Sequence, residues 1–249
     1  MNIKFTDRED IREKRFAHIW SNKLDEVFSD VAPYYDRANY VASLGMLDRC
    51  RDHFISTINL APEQKVLDVC AGTNSIGIEL LTREPSLQVY AVDKSNSMQK
   101  HGAKLARNRG FHIESIISDV HHLPFPDNSF DVVTLQWASR HLKLLDSFSE
   151  IIRVLKPGGH FYHSDMLRPR SQFVGECYYA YLNISLSFTA LLFHSGPAAR
   201  DCKDYFIKAI RMFYSSDEIS ELLSLIGFSN ISSKILLGGM VGFHKACKT

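Results

Sequence analysis

The chain is poor in the residues that staple, metallate or charge a protein. Its five cysteines, Cys50, Cys70, Cys177, Cys202 and Cys247, are odd in number and far apart, and no Cys-x-x-Cys pair occurs. This argues against a disulfide framework and a structural zinc site and favours a reducing compartment. His121 and His122 are adjacent, but no third ligand stands at a fitting spacing, so no metal is expected. An excess of one charge is missing too. With 29 basic and 28 acidic residues the net charge is +1, which leaves no general footprint for nucleic acid. No stretch reads as a clean membrane span. The nearest, residues 174–193, has Glu176 as its one charge but is interrupted by Asn183, Ser185, Ser187, Thr189 and several tyrosines. A buried or substrate-facing helix is expected there, and its low charge on every face points to more burial than one packed face needs. Residues 1–15 are charged and carry no apolar core of the signal-peptide type, so a cytoplasmic protein is expected, with peripheral membrane contact and a homodimer left open.

What the chain does contain is an ordinary globular composition, 45% hydrophobic and 23% charged, without repeats, low-complexity tracts or an interdomain linker. Residues 65–75 organise it. The apolar run Val66-Leu67-Asp68-Val69-Cys70 breaks at Ala71-Gly72-Thr73-Asn74, and a helical pattern follows from Ile76 to Leu81. Strand, tight turn and helix start together expose free N–H groups beside Gly72, whose missing side chain lets a ligand approach the backbone. The turn lacks the Gly-Lys-Ser/Thr ending of a phosphate loop and the three glycines of a dinucleotide fingerprint.

From there strands and helices alternate. Residues 88–93, 112–118, 130–136 and 160–165 read as further strands, and 97–109 and 144–155 as helices, the first ended by Gly110 and the second stopped by Pro157-Gly158-Gly159. Such alternation predicts an α/β fold with a doubly wound, mostly parallel sheet. Before it, residues 7–20 and 44–58 read as helices, the latter with Leu44, Leu47, Cys50, Phe54 and Ile58 on one stripe; Pro33-Tyr34-Tyr35-Asp36 breaks the segment between them. After the core come the aromatic helix at 174–193, a helix near 202–212, and one at 217–226 with an N-cap at Ser215 or Ser216. Residues 228–236 and 240–247 form an antiparallel hairpin at the sheet edge, completing seven strands.

In open α/β sheets ligands bind beyond the carboxyl ends of the strands. Here those ends carry Gly72-Thr73, Asp93-Lys94, Asp119-Val120 and Gln136-Trp137. A carboxylate at 93 suits ribose hydroxyls, and one at 119 suits an adenine amino group. Each acid alone is an ordinary solvated or capping residue; together they mark a cofactor site.

The run from Asp68 through Gly72, Thr73 and Asn74 resembles the Asp-x-x-x-Gly-Thr-Gly first motif of S-adenosylmethionine-dependent methyltransferases, with Asn74 in place of the last glycine. Asn is the next-best residue for a left-handed backbone. Val27-Phe28-Ser29-Asp30-Val31-Ala32-Pro33-Tyr34-Tyr35-Asp36 resembles the N-terminal signature of the ubiquinone/menaquinone biosynthesis C-methyltransferase family. Leu123-Pro124-Phe125-Pro126-Asp127-Asn128-Ser129-Phe130-Asp131 and Arg153-Val154-Leu155-Lys156-Pro157-Gly158-Gly159 are less specific matches. Ile210-Arg211-Met212-Phe213 and Leu237-Gly238-Gly239-Met240-Val241-Gly242-Phe243-His244-Lys245 are more specific ones. The resemblance runs from about residue 27 to the C-terminus. It implies a single methyltransferase domain over 1–249: a helical cap (1–60), a Rossmann-like cofactor core (61–170), substrate-covering helices (171–214) and a C-terminal helix with hairpin (215–249).

The resemblance also implies S-adenosylmethionine as cofactor, held by Thr73, Asp93, Asp119 and Val120, with Asp68, Gly72, Asn74, Lys94 and Gln136 beside them. It implies a small aromatic or quinone-like substrate. Arg140 and His141 align with the family's Arg-Asn pair and Tyr35 with a family tyrosine, the positions that organise deprotonation of a hydroquinone. The sequence departs from the pattern at His141, where the family has Asn, at Ser75, where it has Asp, and at Asp165, where Glu is usual. In this arrangement His141 accepts a proton directly, Arg140 stabilises the developing phenolate, and Tyr35 orients a water or the substrate oxygen. Tyr178, Tyr179, Tyr181, Phe188 and Phe193, with Leu182, Leu186, Leu191 and Leu192, are expected to cover a planar, apolar substrate. O- or N-methylation of another aromatic metabolite, and cofactor binding with a regulatory or non-methylating role, remain open alternatives.

Overall fold

A computed structural model describes residues 3–249. Four helices precede the first strand: α1 (Ile3–His18), which runs into a π-helical turn at Ile19–Lys23, then α2 (Leu24–Val31), α3 (Tyr35–Ser43) and α4 (Met46–Ser56). The α/β core follows as β1 (Lys65–Val69), α5 (Ser75–Arg83), β2 (Gln88–Asp93), α6 (Asn96–Asn108), β3 (Glu114–Ile117), β4 (Phe130–Gln136), α7 (Leu144–Val154) and β5 (Leu155–Met166). Helices α8 (Gln172–Leu192), α9 (Pro197–Asp201) and α10 (Lys203–Arg211) come next, then α11 (Ser216–Ile226), β6 (Phe228–Leu236) and β7 (Val241–Lys248).

The seven strands form one sheet in the order β3-β2-β1-β4-β5-β7-β6. The first five are parallel, and β7 enters antiparallel between β5 and β6, so the terminal pair closes one edge. The core lies on both faces, because the strand period of two sends alternate residues to opposite sides. Leu67, Val69, Val133 and Leu135 pack with Phe148 and Ile151 of α7 and Leu222 of α11. Their neighbours Val66, Val89 and Val132 pack with Phe54 of α4 and Ile76 and Leu80 of α5. β5 starts earlier than its sequence suggests: Leu155 already pairs with Phe130, and a register shift separates that pair from Val132 and His160.

Ser215 caps α11 in a reciprocal box, its hydroxyl accepting from the Glu218 N–H while Glu218 Oε2 accepts from the Ser215 N–H at 2.8 Å. The expected stripe at 44–58 is shorter. Leu44 and Gly45 are both left-handed and separate α3 from α4, so Leu44 leaves the stripe and stands exposed. The largest departure is α8. Gly175, Tyr179, Leu182 and Thr189 are buried, but Phe173, Ile184, Phe188 and Leu191 are 78, 71, 55 and 74% exposed. The expected burial beyond one packed face does not occur, because α8 packs on α3, α9 and α10 and leaves its other side exposed. Among the described residues no helix is long and apolar enough to cross a membrane.

Candidate functional site

Two cavities meet at the carboxyl ends of the strands. The first, of about 310 Å³, is floored by the ends of β1, β2 and β4 and by the segment after β3. The turn after β1 is built from left-handed residues: Cys70 (φ 55°), Gly72 (φ 53°) and Asn74 (φ 60°). Gly72 N donates to Asp93 Oδ2 at 2.8 Å, and Ser95 N donates to Asp93 Oδ1 at 2.8 Å. Both oxygens keep a further lone pair for a ligand. Burial nevertheless raises the Asp93 pKa, against these hydrogen bonds. Asp119 is held well below the usual carboxylate range, first by the hydrogen bond from His121 Nδ1 at 2.5 Å. Lys94 Nζ lies 3.9 Å from Asp119 Oδ2.

Gly72, Asp93, Lys94, Asp119, Val120, Gln136, Tyr35 and His141 therefore line one cavity. Asp68, Thr73 and Asn74 do not; they brace the turn from behind. Asp68 Oδ1 accepts from Thr134 Oγ1 at 2.7 Å across the β1–β4 pair, and burial pushes its carboxyl up to about 7. Thr73 Oγ1 donates to Asp36 Oδ1 at 3.3 Å, and Asn74 Oδ1 accepts from Gln99 Nε2 at 2.9 Å. Helix α6 presses against this turn at Gly102, where a Cβ would come within 2.6 Å of the Thr73 carbonyl carbon.

The fit to a nucleoside with an amino-acid tail is chemical as well as spatial. The cavity is lined by four carboxylates, Glu13, Asp25, Asp93 and Asp119, and by the bare backbone at Gly72, and beside it lies the buried Gln136 Nε2, which has no hydrogen-bond partner among the described residues. Trp20, Leu24 and Phe28 also line it. Their sequence reading held no hint of this, although their i, i+4, i+8 spacing on consecutive helical turns is the signal that would have found them.

The second cavity, of about 530 Å³, lies between α2–α3 and α8–α10. Its walls are mostly apolar, with Val27, Val31, Leu182, Leu186 and Ile210 among them, and they carry no carboxylate among the described residues. Phe28 and Tyr35 line both cavities and form the wall between them. Of the aromatic residues expected to cover a substrate, Tyr181 instead donates its hydroxyl to Ala42 O, and Phe188 faces outward.

Arg140 reaches the second cavity and His141 the first, so the adjacent pair is split between them. The Arg140 guanidinium donates to Asp165 Oδ1 at 2.5 Å and to Trp137 O at 2.7 Å, and its backbone N–H donates to Asp165 Oδ2 at 3.0 Å. The buried Arg12 of α1 donates to Arg140 O at 2.9 Å and pins the same turn from the other side. His141 Nδ1 lies 2.5 Å from Tyr205 Oη. Burial, and then the charges of Arg140 and Arg12, hold its pKa well below the usual histidine range. A buried imidazole beside two guanidinium groups resists the charge, which weighs against the expectation that His141 takes up a proton.

The sequence matches the ubiE/COQ5 methyltransferase family over residues 17–248. It is 34% identical over 232 residues to the demethylmenaquinone methyltransferase of Renibacterium salmoninarum, covering 91% of this chain and 92% of that protein. It is 30% identical over 233 residues to the ubiquinone/menaquinone biosynthesis C-methyltransferase UbiE of Azotobacter vinelandii, covering 92% and 90%. Among solved structures, a SAM-dependent methyltransferase from Aquifex aeolicus shares the fold at a TM-score of 0.57 and 18% identity, covering 80% of this chain and 89% of that one. The [4+2]-cyclase SpnF does so at 0.60 and 17%, covering 81% and 80%. Fold likeness of that order extends to a cyclase, whereas the match over residues 17–248 is specific, and by it the chain belongs to the ubiE/COQ5 methyltransferase family.

Proposed function

We propose that this S-adenosylmethionine-dependent methyltransferase moves a methyl group to a ring carbon of a hydroquinone bound in the larger cavity, as a step in isoprenoid quinone biosynthesis. The observation that carries the proposal is the wall formed by Phe28 and Tyr35. On one side lies a cavity with carboxylates at the strand ends, and on the other an apolar cavity reached by Arg140. Transfer requires the methyl and the ring carbon in direct contact, so Phe28 and Tyr35 would border the junction at which the donor and acceptor groups meet. S-adenosylmethionine supplies an electrophilic sulfonium methyl.

Asp93 would hold ribose hydroxyls and Asp119 the adenine end, with Gly72, Lys94 and Val120 beside them. Asp68, Thr73 and Asn74 act indirectly, by fixing the turn. Arg140 would draw the hydroquinone oxygen toward its charge and lower the cost of ionising it; the released proton passes to solvent, electron density rises at the adjacent ring carbon, and the ring proton displaced by the methyl group returns to the oxygen, with S-adenosylhomocysteine as the other product. Asp165 keeps that guanidinium in place. Tyr35 would orient the reacting oxygen, and the apolar walls would hold ring and tail while excluding water. Much of the rate is then positional, since alignment of two reactants is worth on the order of 7–11 kcal/mol in the best-oriented cases.

A substrate with an isoprenoid tail lives in lipid, and α8 fits that setting. Its inner face lines the larger cavity through Leu182 and Leu186, while Phe173, Ile184 and Phe188 are exposed beside it. An apolar stripe whose one charge on α8, Glu176, is paired with Arg211, and which lies beside the substrate cavity, suits contact with a bilayer surface.

Incubation of the full chain with methyl-labelled S-adenosylmethionine and a reduced demethylmenaquinone analogue tests the activity. Label on a ring carbon is expected. Label on oxygen, or none on any quinol or phenol under reducing conditions, overturns it.

A further inference from the structure

The π-helical turn after α1 brings Trp20 to Tyr205 of α10, and Tyr205 to His141. Trp20 Nε1 donates to Tyr205 Oη at 2.9 Å. An indole N–H can only donate, so the phenol oxygen accepts there and its own hydrogen remains for His141 Nδ1 at 2.5 Å. Burial pushes the Tyr205 phenol up, so it keeps that hydrogen. Nδ1 is then the acceptor and the proton of the neutral ring sits on Nε2; the reverse assignment would leave the Tyr205 hydrogen without an acceptor among the described residues. Phe28 and Phe206 meet the ring edge-on at 6.5 and 5.5 Å and limit its rotation.

His141 Nε2 is buried and has no partner among the described residues, and the same holds for Gln136 Nε2. Both residues line the smaller cavity, at 7 and 8% exposure. A buried donor without an acceptor is destabilising, and the two residues that carry these donors line the same cavity.

We propose that Trp20 and Tyr205 are positioning residues that lock His141 as a neutral Nε2–H donor, and that His141 and Gln136 together hold an anionic oxygen in the smaller cavity. Its source is either the carboxylate of the cofactor's amino-acid end or the ionised oxygen of the methyl acceptor, reaching past Phe28 and Tyr35 from the larger cavity. The family's Asn at this position carries an amide N–H donor, and an Nε2–H imidazole reproduces it. The departure in sequence therefore preserves the hydrogen-bonding character. The lock is a property of the free protein; only the use of the donor rests on the methyl-transfer reading above.

The test uses full-length protein with 15N-labelled histidine, His141 being identified by the signal lost in His141→Asn. Two-bond proton–nitrogen correlation at neutral pH separates the two neutral tautomers and the imidazolium. The expected result is a pure Nε2–H tautomer that becomes mixed in Tyr205→Phe and in Trp20→Phe, each checked for folding by its melting curve. An Nδ1–H tautomer, an imidazolium, or no change in a folded Tyr205→Phe overturns the lock, whatever the enzyme methylates. Methyl transfer should survive within about threefold in His141→Asn and fall at least about tenfold in His141→Phe. Loss of S-adenosylhomocysteine affinity in His141→Phe identifies the cofactor carboxylate, and a fall in kcat at unchanged affinity identifies the acceptor oxygen. If neither changes, the donor role is overturned while the lock and the methyltransferase reading both stand.

Discussion

Asp165 grips Arg140 twice, taking the guanidinium on Oδ1 at 2.5 Å and the backbone N–H of the same residue on Oδ2 at 3.0 Å. The pair is buried, with Asp165 fully so. Ser139 adds a hydroxyl to Oδ2, also at 2.5 Å. A shorter acid than the Glu usual in the family thus sets both the turn and the direction of its side chain.

Removing one partner of such a pair leaves the other charge buried without compensation. Asp165→Ala should lower unfolding free energy by about 3–5 kcal/mol, read by urea denaturation. Arg140→Met removes the charge and leaves Asp165 its N–H and hydroxyl donors. It should cost less stability yet reduce methyl transfer by roughly 10²–10³. Calorimetric affinity for S-adenosylhomocysteine should hold, because Arg140 does not line the smaller cavity. A parallel loss of affinity would mean that Arg140 serves the cofactor and not the acceptor.

Asp93 should behave in the opposite way. Its carboxylate is preset by Gly72 and Ser95 and faces the smaller cavity. Asp93→Ala removes charge-assisted hydrogen bonds worth about 1.5–3 kcal/mol, so affinity for S-adenosylmethionine and S-adenosylhomocysteine should drop by roughly 10–150-fold in calorimetry. Asp68→Asn, one strand away and outside the cavity, should leave affinity within a few fold. Equal losses in the two variants would place the effect in the turn and not in the ligand contact.

The contrast between Asp93 and Asp68 also marks how far the sequence can be read. Residues 88–93 show a β-prone run ended by an acid, and the strand has those bounds. The motif 68–74 reveals a turn, but its pattern cannot separate residues that touch a ligand from those that hold the turn, because both are fixed by the same backbone. α8 shows the complementary failure. With apolar residues on every face, periodicity does not say which face packs, and burial beyond one face is a natural inference until the side away from α3, α9 and α10 is found exposed. The place of His141 beside Arg140 is legible in the sequence; its contact with Tyr205, and that of Tyr205 with Trp20, are not, because folding alone brings these residues together.

A second pair of histidines lies far from solvent. His163 Nδ1 stands 3.2 Å from His244 Nδ1, and burial pushes each pKa down to about 3, with the charge of His163 adding to the effect on His244. Unfolded histidine titrates near 6.5. Between those values the unfolded chain binds a proton that the native chain refuses. The stabilisation is therefore fully present above about 6.5 and is lost as pH falls toward 3, on the order of 1 kcal/mol per pH unit for each ring. Asp68, raised to about 7, works in the opposite sense over part of this window, so the difference between variants is the clean quantity. His163→Gln should show a slope of unfolding free energy against pH, between about pH 4.5 and 6, smaller by about one proton than that of wild type. Identical slopes would mean that His163 is already charged in the native protein.

The exposed face of α8 leads to the last expectation. Ile184 and Leu191 are 71 and 74% exposed and lie on the helix that walls the larger cavity. Each apolar side chain transferred from water into lipid contributes about 1.5–3 kcal/mol at full burial. Replacing both by glutamate removes that gain and adds charge, so partition of the full chain onto phosphatidylcholine vesicles should fall at least about tenfold in sedimentation. Activity on a short-tailed, water-soluble quinol should stay close to wild type, because Ile184 does not line the cavity and Leu191 contributes only part of one wall. Activity on a long-tailed quinol delivered in vesicles should fall with the partition. A wild-type chain that stays in the supernatant at high lipid concentration would remove the bilayer from the account and leave the substrate to arrive by another route.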